Sequence, residues 1–139
     1  MNNNGASERH WLAVSQHMLV DVLLFAFAFV VGCWFRFAVD ELDNKLHLLW
    51  PAILLGSIFF GCAMYTLGLY TIQNAHQSFF KRTALVALAQ VVVMMFMSVL
   101  FYVNFSTRIG RGVMLIGGGL AFAMALMHHA YLLHRFRSL

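Results

Sequence analysis

Asp21 is the acidic residue that lies within reach of an apolar span. From Val22 to Phe35 the chain carries no charged side chain. An ionisable group in a membrane span is a functional hypothesis by default, and a proton relay would place it near mid-depth beside a partner on another helix. The sequence instead places Asp21 about one turn inside the start of its span, within reach of water and of Arg82, Arg135 or Arg137. We interpret Asp21 as a structural anchor, and the alternative is a small transporter or channel subunit.

Histidines are the other candidates for chemistry. His17 belongs to the first apolar stretch and His128 and His129 belong to the last, so these rings are predicted to approach one another. Imidazoles from facing helices hold haem or metal ions in helical bundles. Histidine is also an ordinary residue of the membrane interface, with a polar tip on an apolar body. We expect no cofactor, and a small haem- or metal-binding membrane protein remains the alternative.

No catalytic constellation can be assembled from the sequence. Asp40, Glu41 and Asp43 fall in one polar stretch without a histidine in a fixed element beside them. Ser57 and Ser98 lie in mid-span, where a hydroxyl is expected to bond its own helix backbone. A nucleophile, a base and an oxyanion donor are not found together. We therefore predict that the chain is not an enzyme.

Composition indicates a membrane protein. The chain has 139 residues, of which 62% are hydrophobic and 10% charged, whereas soluble domains are nearer half apolar and a quarter charged. The net charge is +4, but the basic residues stand singly or in pairs between apolar runs. That pattern favours membrane topology and contact with anionic headgroups over nucleic acid. Cys33 and Cys62 lie in apolar runs and are expected to remain free, small apolar residues.

Four apolar stretches predict an all-α membrane protein. We expect a single domain, 1–139, that forms an antiparallel bundle of four transmembrane helices. The predicted spans cover about 18–35, 48–70, 83–103 and 113–133. Residues 36–47 are predicted to form a polar loop, after which Trp50 and Pro51 open the second span in a first helical turn that tolerates proline.

The distribution of basic residues predicts the topology. With four spans both termini lie on one side, together with five basic residues: Arg9, Lys81, Arg82, Arg135 and Arg137. The opposite side carries four, namely Arg36, Lys45, Arg108 and Arg111. The excess is small, and it favours cytoplasmic termini.

Small residues recur at helical spacing. Gly117, Ala121 and Ala125 stand four residues apart in the fourth span, and Ala28 with Gly32 shows the same spacing in the first. Such faces let helices approach closely within a membrane. The pattern fits a homodimer face or packing within one bundle, and the sequence leaves both interpretations open.

Several short motifs resemble those of a known family. Asp21 opens the first span and Arg36-Phe37 closes it, and the later motifs are Gly68-Leu69-Tyr70, Arg82, Arg108, Arg111-Gly112-Val113 and Arg135. This order resembles the N-terminal membrane region of bacterial polyprenyl-phosphate hexose-1-phosphate transferases, the initiating sugar transferases of exopolysaccharide synthesis. The resemblance covers about residues 15–137.

The resemblance implies an anchoring role without catalysis. In that family four helices precede a nucleotide-binding-like domain and a catalytic domain, and nothing in this chain matches either. The motif residues would then be structural and topological: Asp21, Arg36, Gly68, Tyr70, Arg82, Arg108, Arg111 and Arg135. The resemblance implies a module of the bacterial inner membrane that anchors or positions a protein of polysaccharide assembly.

Overall fold

Four helices make up the fold, as predicted. The computed structural model describes the backbone of residues 4–37, 39–70, 78–103 and 111–137, and side chains within 11–37, 41–70, 78–100 and 112–135. The helices are α1 (Asn4–Arg36), α2 (Val39–Thr66), α3 (Phe79–Val103) and α4 (Arg111–Arg137). Each contains a segment long and apolar enough to cross a membrane: Trp11–Arg36, Glu41–Thr66, Phe79–Leu100 and Gly112–Arg135.

The helices pack as an antiparallel ring. Each contacts its neighbours in the chain and α4 returns to α1, whereas the diagonal pairs do not touch within the described ranges. The direction of α4 against α1 follows from two contacts: Asp21 meets His128 near one end, and Gly32 meets Gly117 towards the other. This order brings the start of α1, the end of α2, the start of α3 and the end of α4 to one end of the bundle.

Aromatic and small residues fill the interior. Phe25 stacks on Phe29 and on Phe60, with ring centroids 4.8 and 4.9 Å apart. Large apolar side chains such as Leu23 and Phe27 also point outward, each more than half exposed. A helix that is apolar on all faces suits a lipid environment, where the outer surface needs no polar side chains.

The small-residue stripe of α4 packs inside the bundle. Ala121 and Ala125 are each 1% exposed, and Gly117 is also buried. A Cβ atom added to Gly32 would lie only 2.9 Å from the backbone nitrogen of Gly117. The two helices therefore cross at backbone contact, and this placement agrees with packing within one bundle. It leaves these three residues off the outer surface that a homodimer face requires.

The second helix begins earlier than predicted. The polar loop predicted for 36–47 is wrong, because α2 starts at Val39 and already includes Asp43 and Lys45. Pro51 consequently lies inside the helix, where it cannot donate to the carbonyl four residues before it. Leu, Glu and Lys are good helix formers, so the helix extends beyond the apolar run. Hydrophobicity marks the membrane-spanning part, not the helix end.

The predicted end of the second span also shifts. The prediction extended it to residue 70, but α2 ends at Thr66 and residues 67–70 form a turn. Arg108 lies outside the described residues. Arg111 opens α4, and its side chain lies outside the described part.

Candidate functional site

Asp21 lies at the centre of a buried polar cluster. Its side chain is fully buried, and three donors surround its carboxylate. The Tyr70 hydroxyl donates to Oδ2 over 2.6 Å. His128 Nδ1 lies 2.7 Å from Oδ1, and His129 Nε2 lies 3.1 Å from Oδ2. Because a carboxylate only accepts, each of these histidine nitrogens must carry the proton.

Arg82 supplies the second charge of the cluster. It is 3% exposed, and its Nη2 nitrogen donates to the Leu69 carbonyl oxygen over 2.6 Å. The same Nη2 nitrogen lies 3.3 Å from His129 Nδ1. Arginine only donates, so this ring nitrogen must accept. His129 is thereby fixed as the Nε2–H tautomer and connects the guanidinium to the carboxylate. We call Asp21, Tyr70, Arg82, His128 and His129 the Asp21 network.

A glycine turn after α2 positions Tyr70. Gly68 adopts a φ of 70°, which a residue with a Cβ atom rarely adopts. Its N–H donates to the Tyr65 carbonyl over 2.9 Å, and the N–H of Leu69 donates to the Met64 carbonyl over 3.2 Å. This pair of bonds defines a Schellman motif. The turn ends α2, directs the Leu69 carbonyl towards Arg82 and brings the Tyr70 hydroxyl to the Asp21 carboxylate.

Ser78 places Arg82 in the first turn of α3. The N–H of Lys81 donates to the Ser78 hydroxyl over 3.3 Å, the geometry of an N-cap. The N–H of Arg82 donates to the Ser78 carbonyl over 3.2 Å. The network therefore draws on all four helices: α1, the turn after α2, the start of α3 and the last third of α4.

Burial explains why Tyr70 is the proton donor in the network. The phenol of Tyr70 lies in the turn beyond the membrane-spanning segment of α2, and burial together with the neighbouring Asp21 charge raises its pKa. Tyr70 therefore keeps its proton and donates. An isolated buried charge costs several kcal/mol or more, but here one carboxylate and one guanidinium share a chain of hydrogen bonds. Arg82 Nε is buried and has no hydrogen-bond partner among the described residues.

The predicted approach of His17 to the last span is confirmed. The centroids of the His17 and His128 rings lie 5.7 Å apart, and those of His128 and His129 lie 5.4 Å apart. His17 is half-buried and sits one helical turn before Asp21. The three histidine rings named from the sequence thus form a continuous group beside the carboxylate.

Three ligand atoms of the network are close enough together to surround a cation. Ligand atoms from Asp21, His128 and His129 lie within 4.8 Å of one another. A metal would need histidine nitrogens without protons facing it. If His129 bound a metal through Nε2, its proton would move to Nδ1, where it would face the N–H donors of Arg82 Nη2. The positive charge of Arg82 also disfavours a second cation, so the donor arrangement fits a hydrogen-bonded cluster better than a metal site.

Other residues named from the sequence lie elsewhere. Arg36 is exposed at the far end of α1, where its side chain lies against Gly112. Arg135 is exposed near the end of α4. Ser57 and Ser98 donate to the carbonyls of Ile53 and Met94 over 2.6 and 2.7 Å, which confirms that they bond their own helices.

The predicted surroundings of Asp21 were wrong in two respects. Asp21 is enclosed and not open to water, and its direct described partners are Tyr70, His128 and His129. Arg82 was predicted as a partner and reaches the carboxylate only through His129. A usable signal was available, because Asp21 lies about as far before Arg36 as His128 lies after Arg111. In an antiparallel pair of helices these positions share one depth.

Comparisons with known proteins give no match: no protein-family model, no curated protein and no solved structure resembles this chain closely enough to identify a family.

Proposed function

We propose that this chain is a non-catalytic integral membrane module in which the Asp21 network holds the four helices together. The observation that carries the proposal is the set of three donors on the Asp21 carboxylate, which come from α4 and from the turn after α2. Arg82 adds α3 through His129 and the Leu69 carbonyl. Polar groups that bond to one another stabilise the packing of the helices, and they are then not free to bind a substrate.

A transporter or channel subunit based on Asp21 has less support. Such a role needs a route by which water or ions reach the carboxylate. Asp21 is fully buried, and the crevice beside Arg82 and His129 is too narrow to admit a water molecule. A haem or metal role has less support because of the donor arrangement at His129 described above.

We extend the proposal to cell-surface polysaccharide assembly on the basis of the family resemblance. Asp21, Gly68, Tyr70 and Arg82 lie far apart in the sequence, yet they take part in one network or in the turn that builds it. A shared structural role would explain why the resemblance includes these residues together. In this proposal the module lies in the bacterial inner membrane with both termini in the cytoplasm, and it anchors or positions an assembly protein.

Complementation of a deletion strain tests the proposal. Deleting the gene should lower the amount of surface polysaccharide, and wild type or Leu23→Ala should restore it, since Leu23 is 59% exposed on the same helix. Asp21→Leu should fail to restore it, with a matching loss of folded protein from the membrane. Purified chain in nanodiscs should transfer no sugar phosphate from sugar nucleotides to polyprenyl phosphate.

Three results would contradict the proposal in different ways. Transfer by the purified chain would refute the non-catalytic role. Unchanged polysaccharide after deletion would refute the pathway. If Asp21→Leu accumulated as folded protein at wild-type amounts yet failed to complement, the carboxylate would act in chemistry and not in assembly.

A further inference from the structure

Two histidine rings meet at the half-buried edge of the Asp21 network. The ring centroids of His17 on α1 and His128 on α4 lie 5.7 Å apart, and the rings are inclined at 45° to each other. Both side chains are half-buried, whereas Asp21 and His129 are enclosed. An ion from water can therefore reach this pair of rings without entering the bundle.

The bond to Asp21 decides which nitrogen of His128 is available. Its Nδ1 donates to the Asp21 carboxylate over 2.7 Å, so a neutral His128 ring carries its lone pair on Nε2. Histidines that bind metals almost always donate their other N–H to a carboxylate, a carbonyl or water, which fixes the tautomer and the orientation of the ring. Asp21 thus holds His128 in the tautomer and orientation of a metal ligand.

His17 can supply a second ligand, whereas His129 cannot. No other residue in the described part of the chain forms a hydrogen bond with the His17 ring. His129 uses Nε2 on Asp21 and Nδ1 on Arg82, so it has no free nitrogen. Two imidazoles that bind one tetrahedral ion at about 2.1 Å hold their centroids roughly 5–6 Å apart. The separation of 5.7 Å between His17 and His128 falls within that range.

A site between these two rings differs from the group of three ligand atoms inside the network. An ion bound there leaves the proton of His129 on Nε2 and the bond from Arg82 to Nδ1 undisturbed. It also keeps the carboxylate of Asp21 as a hydrogen-bond acceptor, and this makes the His128 ring a more basic ligand. The objection to a metal inside the network therefore does not apply at its edge.

We propose that His17 and His128 bind one divalent transition-metal ion of the Zn²⁺ type between α1 and α4. His128 binds through Nε2, and Asp21 acts as the positioning residue for its ring. Water completes the coordination, since imidazole ligands suit Zn²⁺ and Cu²⁺ and zinc sites are commonly four-coordinate. The ion joins α1 to α4 and stabilises the folded bundle. The proposal goes beyond the proposed function and does not depend on the polysaccharide pathway.

Zinc titration of the purified full chain in nanodiscs tests the proposal. The background protein lacks other exposed ligands, because alanine replaces the remaining histidines and serine replaces the exposed cysteine: His10, His47, His76, His134 and Cys62. We expect one Zn²⁺ per chain by isothermal titration calorimetry, together with a rise in melting temperature as Zn²⁺ is added.

Removing His17 should abolish most of this affinity. We expect His17→Ala to weaken Zn²⁺ binding by more than about ten-fold, since even a hydrogen-bond partner of a metal ligand contributes that factor. His17→Phe keeps a ring beside His128 and should give the same loss. Gln16→Ala is the matched control, because Gln16 is the exposed neighbour of His17 on α1. Helix content and the melting temperature without metal should be the same in all three variants.

Electron paramagnetic resonance of bound Cu²⁺ identifies the ligands without substituting His128, which the Asp21 network needs. Two imidazoles should be coupled to Cu²⁺ in the background protein and one in His17→Ala. The proposal is overturned if the background protein binds no Zn²⁺ at millimolar concentration or if its Cu²⁺ spectrum shows a single imidazole. It is also overturned if folded His17→Ala and His17→Phe bind Zn²⁺ as tightly as Gln16→Ala, since the ion would then lie inside the network.

Discussion

At the scale of single residues, the buried charge of Asp21 depends on donors from distant parts of the chain. Tyr70, His128 and His129 each direct a polar hydrogen at its carboxylate. A carboxylate without such partners would be very costly in the interior of a membrane protein. The network therefore accounts for an acidic side chain that is fully buried among apolar helices.

Removing the Tyr70 hydroxyl should weaken the fold without changing its shape. Tyr70→Phe keeps the ring but leaves Asp21 one donor short, and we expect a loss of roughly 1.5–3 kcal/mol in the free energy of unfolding, the range for hydrogen bonds to charged groups. Equilibrium unfolding in mixed detergent measures the loss. Tyr131→Phe is the matched control, because Tyr131 is 61% exposed. Equal stability of the two variants would show that the Tyr70–Asp21 bond contributes nothing.

Residue types were more predictable from the sequence than their partners. Asp21 and the three histidines stood out because polar side chains are rare in the apolar runs, and the approach of His17 to His128 followed from antiparallel spans. The bond from Tyr70 did not follow. It depends on the turn at Gly68, and Tyr70 by itself reads as an ordinary interface residue.

At the scale of helices and turns, Gly68 controls where α2 ends. Its φ of 70° and the Schellman bonds set the direction in which the chain leaves the helix. The residues that follow supply both the Leu69 carbonyl for Arg82 and the hydroxyl for Asp21. The turn is thus the element on which half of the network depends.

Substitution of Gly68 should therefore be costly. Gly68→Ala forces a side chain into a left-handed conformation, at a cost of roughly 1–2 kcal/mol, and it should also displace Tyr70. Gly119→Ala is the control, because its Cβ atom meets nothing within 4 Å inside a helix, where alanine is favoured over glycine by up to about 1 kcal/mol. Thermal melting compares the two. A neutral Gly68→Ala variant would contradict the role assigned to the turn.

Helix number followed from the sequence, whereas helix limits did not. Each apolar run corresponds to one helix, since spanning segments must satisfy their own backbone. The start of α2 at Val39 was missed, because good helix formers extend the helix beyond the apolar run. The end at Thr66 was missed because the glycine two residues later was not read as a helix stop.

At the scale of the whole molecule, two compensating charges and the hydrogen bonds between them link the four helices. Asp21 on α1 and Arg82 on α3 lie on helices that do not pack against each other, and His129 on α4 joins them. The turn after α2 completes the connection. The all-α membrane fold was predictable from composition, but this closed arrangement was not, because it depends on which helices become neighbours. The orientation of the bundle in its membrane remains a prediction.

A double-mutant cycle between Asp21 and Arg82 tests the account most directly. Asp21→Asn alone leaves a buried guanidinium uncompensated and Arg82→Met alone leaves a buried carboxylate, so each should lower the free energy of unfolding by about 3–5 kcal/mol. The double variant removes both charges. The account predicts that its cost falls short of the summed single costs by at least about 1 kcal/mol, whereas additivity within about 0.5 kcal/mol would contradict it.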